Sequence, residues 1–279
     1  MSQCSFDYRG SVVFVAGGTS GINLGIARGF AQAGAAVAVL SRSQAKVDAA
    51  VLSLQEFGGT ALGFAADVRD AGQLEVVFGE AHRQLGPIDV LVSGAAGNFP
   101  AAANSMSGNA FKAVMDIDLL GTFQVLRFCY PYLRKPGGCV INISAPQAFV
   151  PMEMQSHVCA AKAGVDMLTR TTALEWGAEG IRVNSLVPGP IEGTEGMRRL
   201  SSPGPEGARQ IADSVPMKRQ GTAADIAAAA MFLGSSAASY ISGAVLPVDG
   251  GWSLGGAGLI GQILSGQSET ERGKKLPQR

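Results

Sequence analysis

The stretch that decides the fold reads Val12-Val13-Phe14-Val15-Ala16, then Gly17-Gly18-Thr19-Ser20-Gly21-Ile22-Asn23, then Leu24 to Gly34, then Ala36-Val37-Ala38-Val39-Leu40-Ser41-Arg42. A short β-branched run, a glycine-rich turn, an amphipathic segment and a second apolar run make a strand–helix–strand unit. Glycines in such a turn let backbone N–H groups approach a pyrophosphate, and the N-terminus of the following helix favours its negative charge. Gly17, Thr19, Ser20, Gly21 and Ile22 are therefore the expected binding turn for a dinucleotide. About twenty residues beyond it an acidic side chain would hold an adenosine 2′-hydroxyl, whereas an arginine holds a 2′-phosphate. Ser41 and Arg42 stand there, so the expected cofactor is NADPH/NADP+.

The rest of the chain extends the same alternation. Apolar runs near 62–66, 88–92, 139–143, 181–187 and 244–248 alternate with helical segments near 44–57, 72–85, 110–135, 156–176 and 223–233. This pattern predicts an α/β fold, a single Rossmann domain over residues 1–255 with a doubly wound parallel sheet and helices on both faces. The segment 192–219 is polar and punctuated by glycine and proline, which suits a mobile lid over a cleft, and residues 256–279 read as a tail.

Composition removes several alternatives. Of 279 residues, 47% are hydrophobic, enough for one large core. Lysine plus arginine equals aspartate plus glutamate at 22 each, which argues against a nucleic-acid surface. No apolar run approaches a membrane span, and the first residues lack the apolar core of a signal peptide. Four cysteines without metal-ligand spacing are expected as reduced thiols, and two histidines leave little for a metal site. The expected setting is cytoplasmic, with no nucleic-acid, membrane or metal partner.

Several further stations match one family in order. They are Asp67-Val68, Ala95-Ala96-Gly97, Lys162, Arg182-Val183-Asn184, Pro188-Gly189-Pro190-Ile191 and Asp249-Gly250-Gly251. With the glycine turn, whose last position holds Asn23 rather than glycine, they resemble the short-chain dehydrogenases/reductases. That resemblance implies a homotetramer in which Asp67 holds the adenine, Gly97 lies near the nicotinamide and Ile191 contacts its carboxamide. Ala95, Val68, Pro188 and Gly189 join the cofactor-binding set, and Lys162 holds the nicotinamide ribose. Asn23 reads as a cap of the first helix.

The catalytic stations depart from the usual family pattern. Val158 stands where a tyrosine precedes the lysine by four, Ala145 replaces the serine thirteen residues before Val158, and Asp118 replaces an asparagine. A valine cannot protonate a carbonyl oxygen, so ordinary alcohol–ketone chemistry is not expected. The departures resemble one branch, the 2,4-dienoyl-CoA reductases of the peroxisomal type. The residues that carry this are Ala95-Ala96-Gly97-Asn98-Phe99, Met115-Asp116-Ile117-Asp118, His157 ahead of a tyrosine-less Lys162, and Pro190-Ile191-Glu192-Gly193-Thr194-Glu195-Gly196. The mitochondrial type carries a tyrosine where this chain has Gln147. The resemblance implies NADPH-dependent reduction of a conjugated dienoyl thioester to an enoyl thioester.

That chemistry needs donors at the thioester oxygen and a proton source at carbon. Lys162 supplies positive potential and Asp118 orients a water; Ser144 and His157 are alternative acids. Asn98 and Phe99 are candidates for thioester and acyl contacts, with loop packing as the competing role. Arg198, Arg199 and Arg209 are either coenzyme A phosphate partners or a solvated helix face. Val165, Met167, Leu168 and Leu174 form an apolar stripe for core or subunit contact. The rival readings are a carbonyl or alcohol oxidoreductase using another acid, and a non-catalytic NADP-binding protein.

Overall fold

The computed structural model describes residues 5–194 and 205–255. Seven parallel strands form one sheet in the order β3-β2-β1-β4-β5-β6-β7. They are β1 (Val12–Ala16), β2 (Ala36–Ser41), β3 (Ala61–Ala65), β4 (Val90–Ser93), β5 (Cys139–Ile143), β6 (Arg182–Pro188) and β7 (Val245–Val248). The helices are α1 (Gly21–Gln32), α2 (Gln44–Gln55), α3 (Ala71–Leu85), α4 (Gly108–Val114), α5 (Gly121–Cys129), α6 (Ser156–Trp176), α7 (Pro205–Ser214) and α8 (Ala223–Gly234).

Strands covered on both faces read as unbroken apolar runs, and β1 is buried at every position. Alternate side chains feed two cores. Val13, Val15, Val37, Val39 and Ile141 meet Phe30 of α1, Leu54 of α2 and Ile226 of α8 on one face. Phe14, Leu40, Leu91, Val140 and Val183 meet Leu74 and Phe78 of α3 and Leu126 of α5 on the other. Phe14, Phe30 and Phe78 are fully buried, each stabilising the fold by about 1.5–3 kcal/mol. Gly25 and Gly29 let α1 lie against α8, since a Cβ on Gly25 would fall 2.4 Å from that of Ala223.

The strand order locates the site. The chain leaves β1 toward β2 and β3, then returns to place β4 on the other side of β1. In open parallel sheets a crevice opens at the carboxyl ends of the strands where the order reverses. Here those ends are Ala16 and Ser93, paired in register.

Two expected elements differ. The helix expected over 110–135 is interrupted: α4 passes into a π-helical turn, Met115–Leu120, before α5, and Tyr130–Tyr132 is a 3₁₀ turn. The wider turn swings Asp118 inward from a segment whose sequence looks continuously helical. The expected lid contains a regular helix, α7; its part over 195–204, with Arg198 and Arg199, lies outside the described residues, as does the tail 256–279.

Candidate active site

The cofactor turn follows from backbone requirements at two glycines. Gly17 has φ +78°, and a Cβ there would meet Ala95 Cα at 2.9 Å, so the turn presses directly on the loop after β4. Gly21, φ +53°, opens α1, and a Cβ there would project into open space whose nearest atom, of Thr194, is 3.8 Å away. The helix N-terminus thus faces a cleft with bare backbone.

That cleft is a cavity of about 650 Å³ lined by Gly17, Thr19, Ser20, Gly21, Ser41, Arg42, Asp67, Val68 and Ala95. These are expected cofactor residues, brought together from the ends of four strands. Lys46, four residues past Arg42 in the first turn of α2, lines the same cavity and escaped the sequence reading. Its signal was the basic pair at helical spacing. The size and the bare glycine backbone fit a dinucleotide. Asp67 is more committed than expected, because Arg69 forms a 2.6 Å ion pair with it. Hydrogen bonds from that guanidinium hold its carboxyl below the usual carboxylate range.

Asn23 corrects an expectation. It lies within α1 and does not cap it; Ser20 is the N-cap residue. Its amide instead donates to Gly94 O at 2.7 Å, tying α1 to the loop after β4.

Beside the cleft is a second cavity of about 370 Å³, lined by Ile22, Ala145, Pro146, Gln147, Met152, Pro188, Gly189, Ile191, Ile211 and Trp252, among others. Ile22, Pro188, Gly189 and Ile191 were expected cofactor residues. Met152, Ile211 and Trp252 were not anticipated, since an apolar side chain in a loop or a short helix carries no sequence signal of a pocket.

The charged centre lies deeper. Asp118 is 1% exposed and Lys162 is 5% exposed, and Lys162 Nζ stands 3.3 Å from Asp118 Oδ2. Gly97 N–H donates to Asp118 Oδ1 at 2.7 Å, and Lys162 donates to the Ile143 carbonyl at 3.0 Å. The Thr122 hydroxyl donates to the Asp118 carbonyl at 2.7 Å, supplying a partner within the π-helical region. A buried pair of this kind persists only with satisfied geometry, and each group here has a second partner. The centre joins the loop after β4, the π turn, the end of β5 and α6.

Other candidates fall elsewhere. Ser144 is buried beside Asp166 of α6 and makes no formed hydrogen bond through its hydroxyl. Extended backbone alternates its side chains, so Ala145 lines the second cavity in its place. His157 is fully buried, its ring 4.5 Å from that of Phe99, and like Lys162 and Asp118 it lines neither cavity. It occupies a different face of α6 from Lys162, as residues five apart on a helix must. Phe99 packs against Val114, Val158 and Ala161, together with Met115 and Leu119. Asn98, its neighbour, lines neither cavity. Arg209 is exposed and stands 3.9 Å from Asp213 on its own helix, as a solvated face would.

Among the described residues no group of three His, Cys, Asp or Glu side chains is placed to hold a metal, and no helix is long and apolar enough to cross a membrane.

The chain is similar to known proteins over most of its length. A family model described as enoyl-(acyl carrier protein) reductase matches residues 16–253. A peroxisomal 2,4-dienoyl-CoA reductase of Rattus norvegicus, (3E)-enoyl-CoA-producing, is 42% identical over 263 residues, covering 94% of this chain and 90% of the relative. The corresponding enzyme of Arabidopsis thaliana is 40% identical, covering 87% and 84%. A crystal structure of a short chain dehydrogenase from Bacillus anthracis superposes with a TM-score of 0.79 at 37% identity, covering 87% of this chain and 96% of that one.

Proposed function

Because the chain belongs to the short-chain dehydrogenase/reductase family and is an oxidoreductase with a nicotinamide cofactor, we propose that it uses NADPH to reduce conjugated 2,4-dienoyl-CoA thioesters to enoyl-CoA. The observation that carries the reading is the buried Lys162–Asp118 pair, held by Gly97 N–H, in a site with Val158 in place of a phenol. Such a site offers charge rather than a dedicated side-chain acid.

Gly17, Thr19, Ser20 and Gly21 would hold the pyrophosphate, and Arg42 with Lys46 the 2′-phosphate. Pro188, Gly189 and Ile191 would hold the nicotinamide end. When bound, the reduced nicotinamide supplies hydride to the far end of the diene. The chain's own residues do the rest. Lys162 places positive potential where charge develops on the conjugated thioester, lowering the barrier. Asp118 is acceptor-only when ionised, so it would orient a water that gives its proton to carbon, the hydroxide left being reprotonated from solvent. Its fixed position, with one oxygen on Gly97 N–H, leaves the other toward Lys162. The wall of Met152, Pro146, Ile211 and Trp252 excludes water and accepts an acyl chain.

The family's homotetramer belongs to the same proposal, supported by Met167 and Leu174 of α6, which are 58% and 85% exposed. So does a cytoplasmic setting, tested by cell fractionation.

The test of function follows NADPH oxidation with a medium-chain trans-2,trans-4-dienoyl-CoA, with a matched free ketone in parallel. Turnover on the thioester alone is expected. Turnover on the ketone alone, or NADPH binding with silence on the thioester, overturns the proposal.

A further inference from the structure

The second cavity, beside the cofactor cleft, has a largely apolar wall, with Ile22, Ala145, Pro146, Met152, Ile191 and Ile211 among its residues. Four of the side chains on that wall can donate a hydrogen bond: Gln147, Thr194, Ser214 and Trp252. Two of them are spent on backbone. The Thr194 hydroxyl donates to the Ile191 carbonyl at 2.8 Å, and the Ser214 hydroxyl to the Ile211 carbonyl at 2.6 Å. Gln147 is different. Among the described residues its amide finds only the Met152 sulfur, to which Nε2 donates at 3.5 Å. A thioether is a weak acceptor, so the amide keeps nearly all its donor strength. The backbone that carries it is fixed: Pro146 opens the 3₁₀ turn Pro146–Ala148, and Ala148 N–H closes it onto the Ala145 carbonyl at 3.0 Å.

We infer that Gln147 is a catalytic residue whose amide donates to the carbonyl oxygen of the conjugated thioester. The inference rests on the reading of that substrate and deepens it. Hydride arriving at the far end of the diene sends electron density along the conjugated chain to this oxygen. A donor already fixed beside it binds more strongly as the charge develops, and an apolar wall leaves that interaction weakly screened. Position in the fold favours Gln147 over Trp252. At the end of β5 the Ile143 carbonyl accepts from Lys162, and Gln147 follows four residues later in the same connection. The turn that carries it packs against α6, the helix of Lys162. Trp252 enters instead after β7, with β6 lying between that strand and β5. One strand end thus supplies the neutral donor and anchors the cation.

The test compares the unaltered full chain with Gln147→Met, Gln147→Glu and Trp252→Phe, using NADPH and a medium-chain trans-2,trans-4-dienoyl-CoA. Methionine keeps the length of the side chain and loses the donor; glutamate keeps the shape and puts an acceptor where the donor stood. Each should lower kcat by about a hundredfold, while NADPH affinity, followed by fluorescence, stays near that of the unaltered protein. Should one of the two not fold, the other carries the test. A second readout needs no turnover. With NADP+ in place of NADPH the dienoyl thioester binds without being reduced, and its absorption band moves to longer wavelength when the carbonyl is polarised. That shift should shrink in both Gln147 variants. A merely structural glutamine would change the melting temperature and leave kcat and the spectral shift in place. Unchanged kcat in folded Gln147→Met overturns the inference, as does a rise in KM alone. Loss of kcat in Trp252→Phe without loss in Gln147→Met would assign the donor to the indole and overturn it too. Absence of turnover in the unaltered protein would instead overturn the reading of the substrate.

Discussion

Lys162 and Asp118 hold each other in place, so removing either has two effects. Lys162→Ala leaves a carboxylate at 1% exposure without its cation, at a cost of about 3–5 kcal/mol. The expected outcome is loss of thioester turnover together with a lower melting temperature, read by activity assay and thermal denaturation. Retained turnover would remove Lys162 from the chemistry. Arg42→Ala acts differently, because its side chain lies at an open cleft. Losing a charge-assisted contact of about 1.5–3 kcal/mol should raise the KM for NADPH about ten- to a hundred-fold and leave NADH almost unchanged. An equal effect on both cofactors would argue against a 2′-phosphate contact. The sequence singled out Arg42 by its distance from the glycine turn, and Lys162 and Asp118 by their resemblance to the family's stations. Of the neighbours Ser144 and Ala145, only the folded backbone tells that Ala145 faces the second cavity. The sequence reading missed Lys46, whose place depends on the cavity that the neighbouring elements enclose.

At the scale of elements, periodicity sufficed for the strands and for α6, whose apolar and polar positions alternate at regular intervals. It did not suffice for the π turn, Met115–Leu120, because a π turn has the same composition as the α-helix around it. The contact of α1 with α8 was equally hidden. Gly25 looks like a helix-weakening residue in the sequence, and only the packing shows that Ala223 fills its missing side chain. Gly25→Val should therefore destabilise the fold by about 1–3 kcal/mol or more through overpacking, despite the better helix propensity of valine. A melting temperature equal to or above that of the unaltered protein would refute this account of the contact.

At the scale of the molecule, the parallel, doubly wound sheet was legible from alternation, whereas the order of its strands and the assembly were not. Met167 and Leu174 read equally as core or as subunit contact, and the fold leaves both on the surface of one chain. If they are covered in a tetramer, Leu174→Glu should yield smaller species in sedimentation velocity while the far-ultraviolet circular dichroism stays unchanged. An unchanged sedimentation coefficient would place the interface elsewhere.

The link between Asn23 and Gly94 bears on how this chain can drift over generations. A Cβ on Gly94 would meet the Asn23 side chain at 2.4 Å, so Gly94→Ala is expected to be destabilising by itself. Asn23→Gly removes the obstruction and with it the tie to Gly94 O. Paired, the two changes should cost less than their separate effects predict, a non-additivity that a double-mutant cycle measures by denaturation. The order in which they arise then decides which intermediate is viable: the path through Asn23→Gly stays open, and the path through Gly94→Ala is closed.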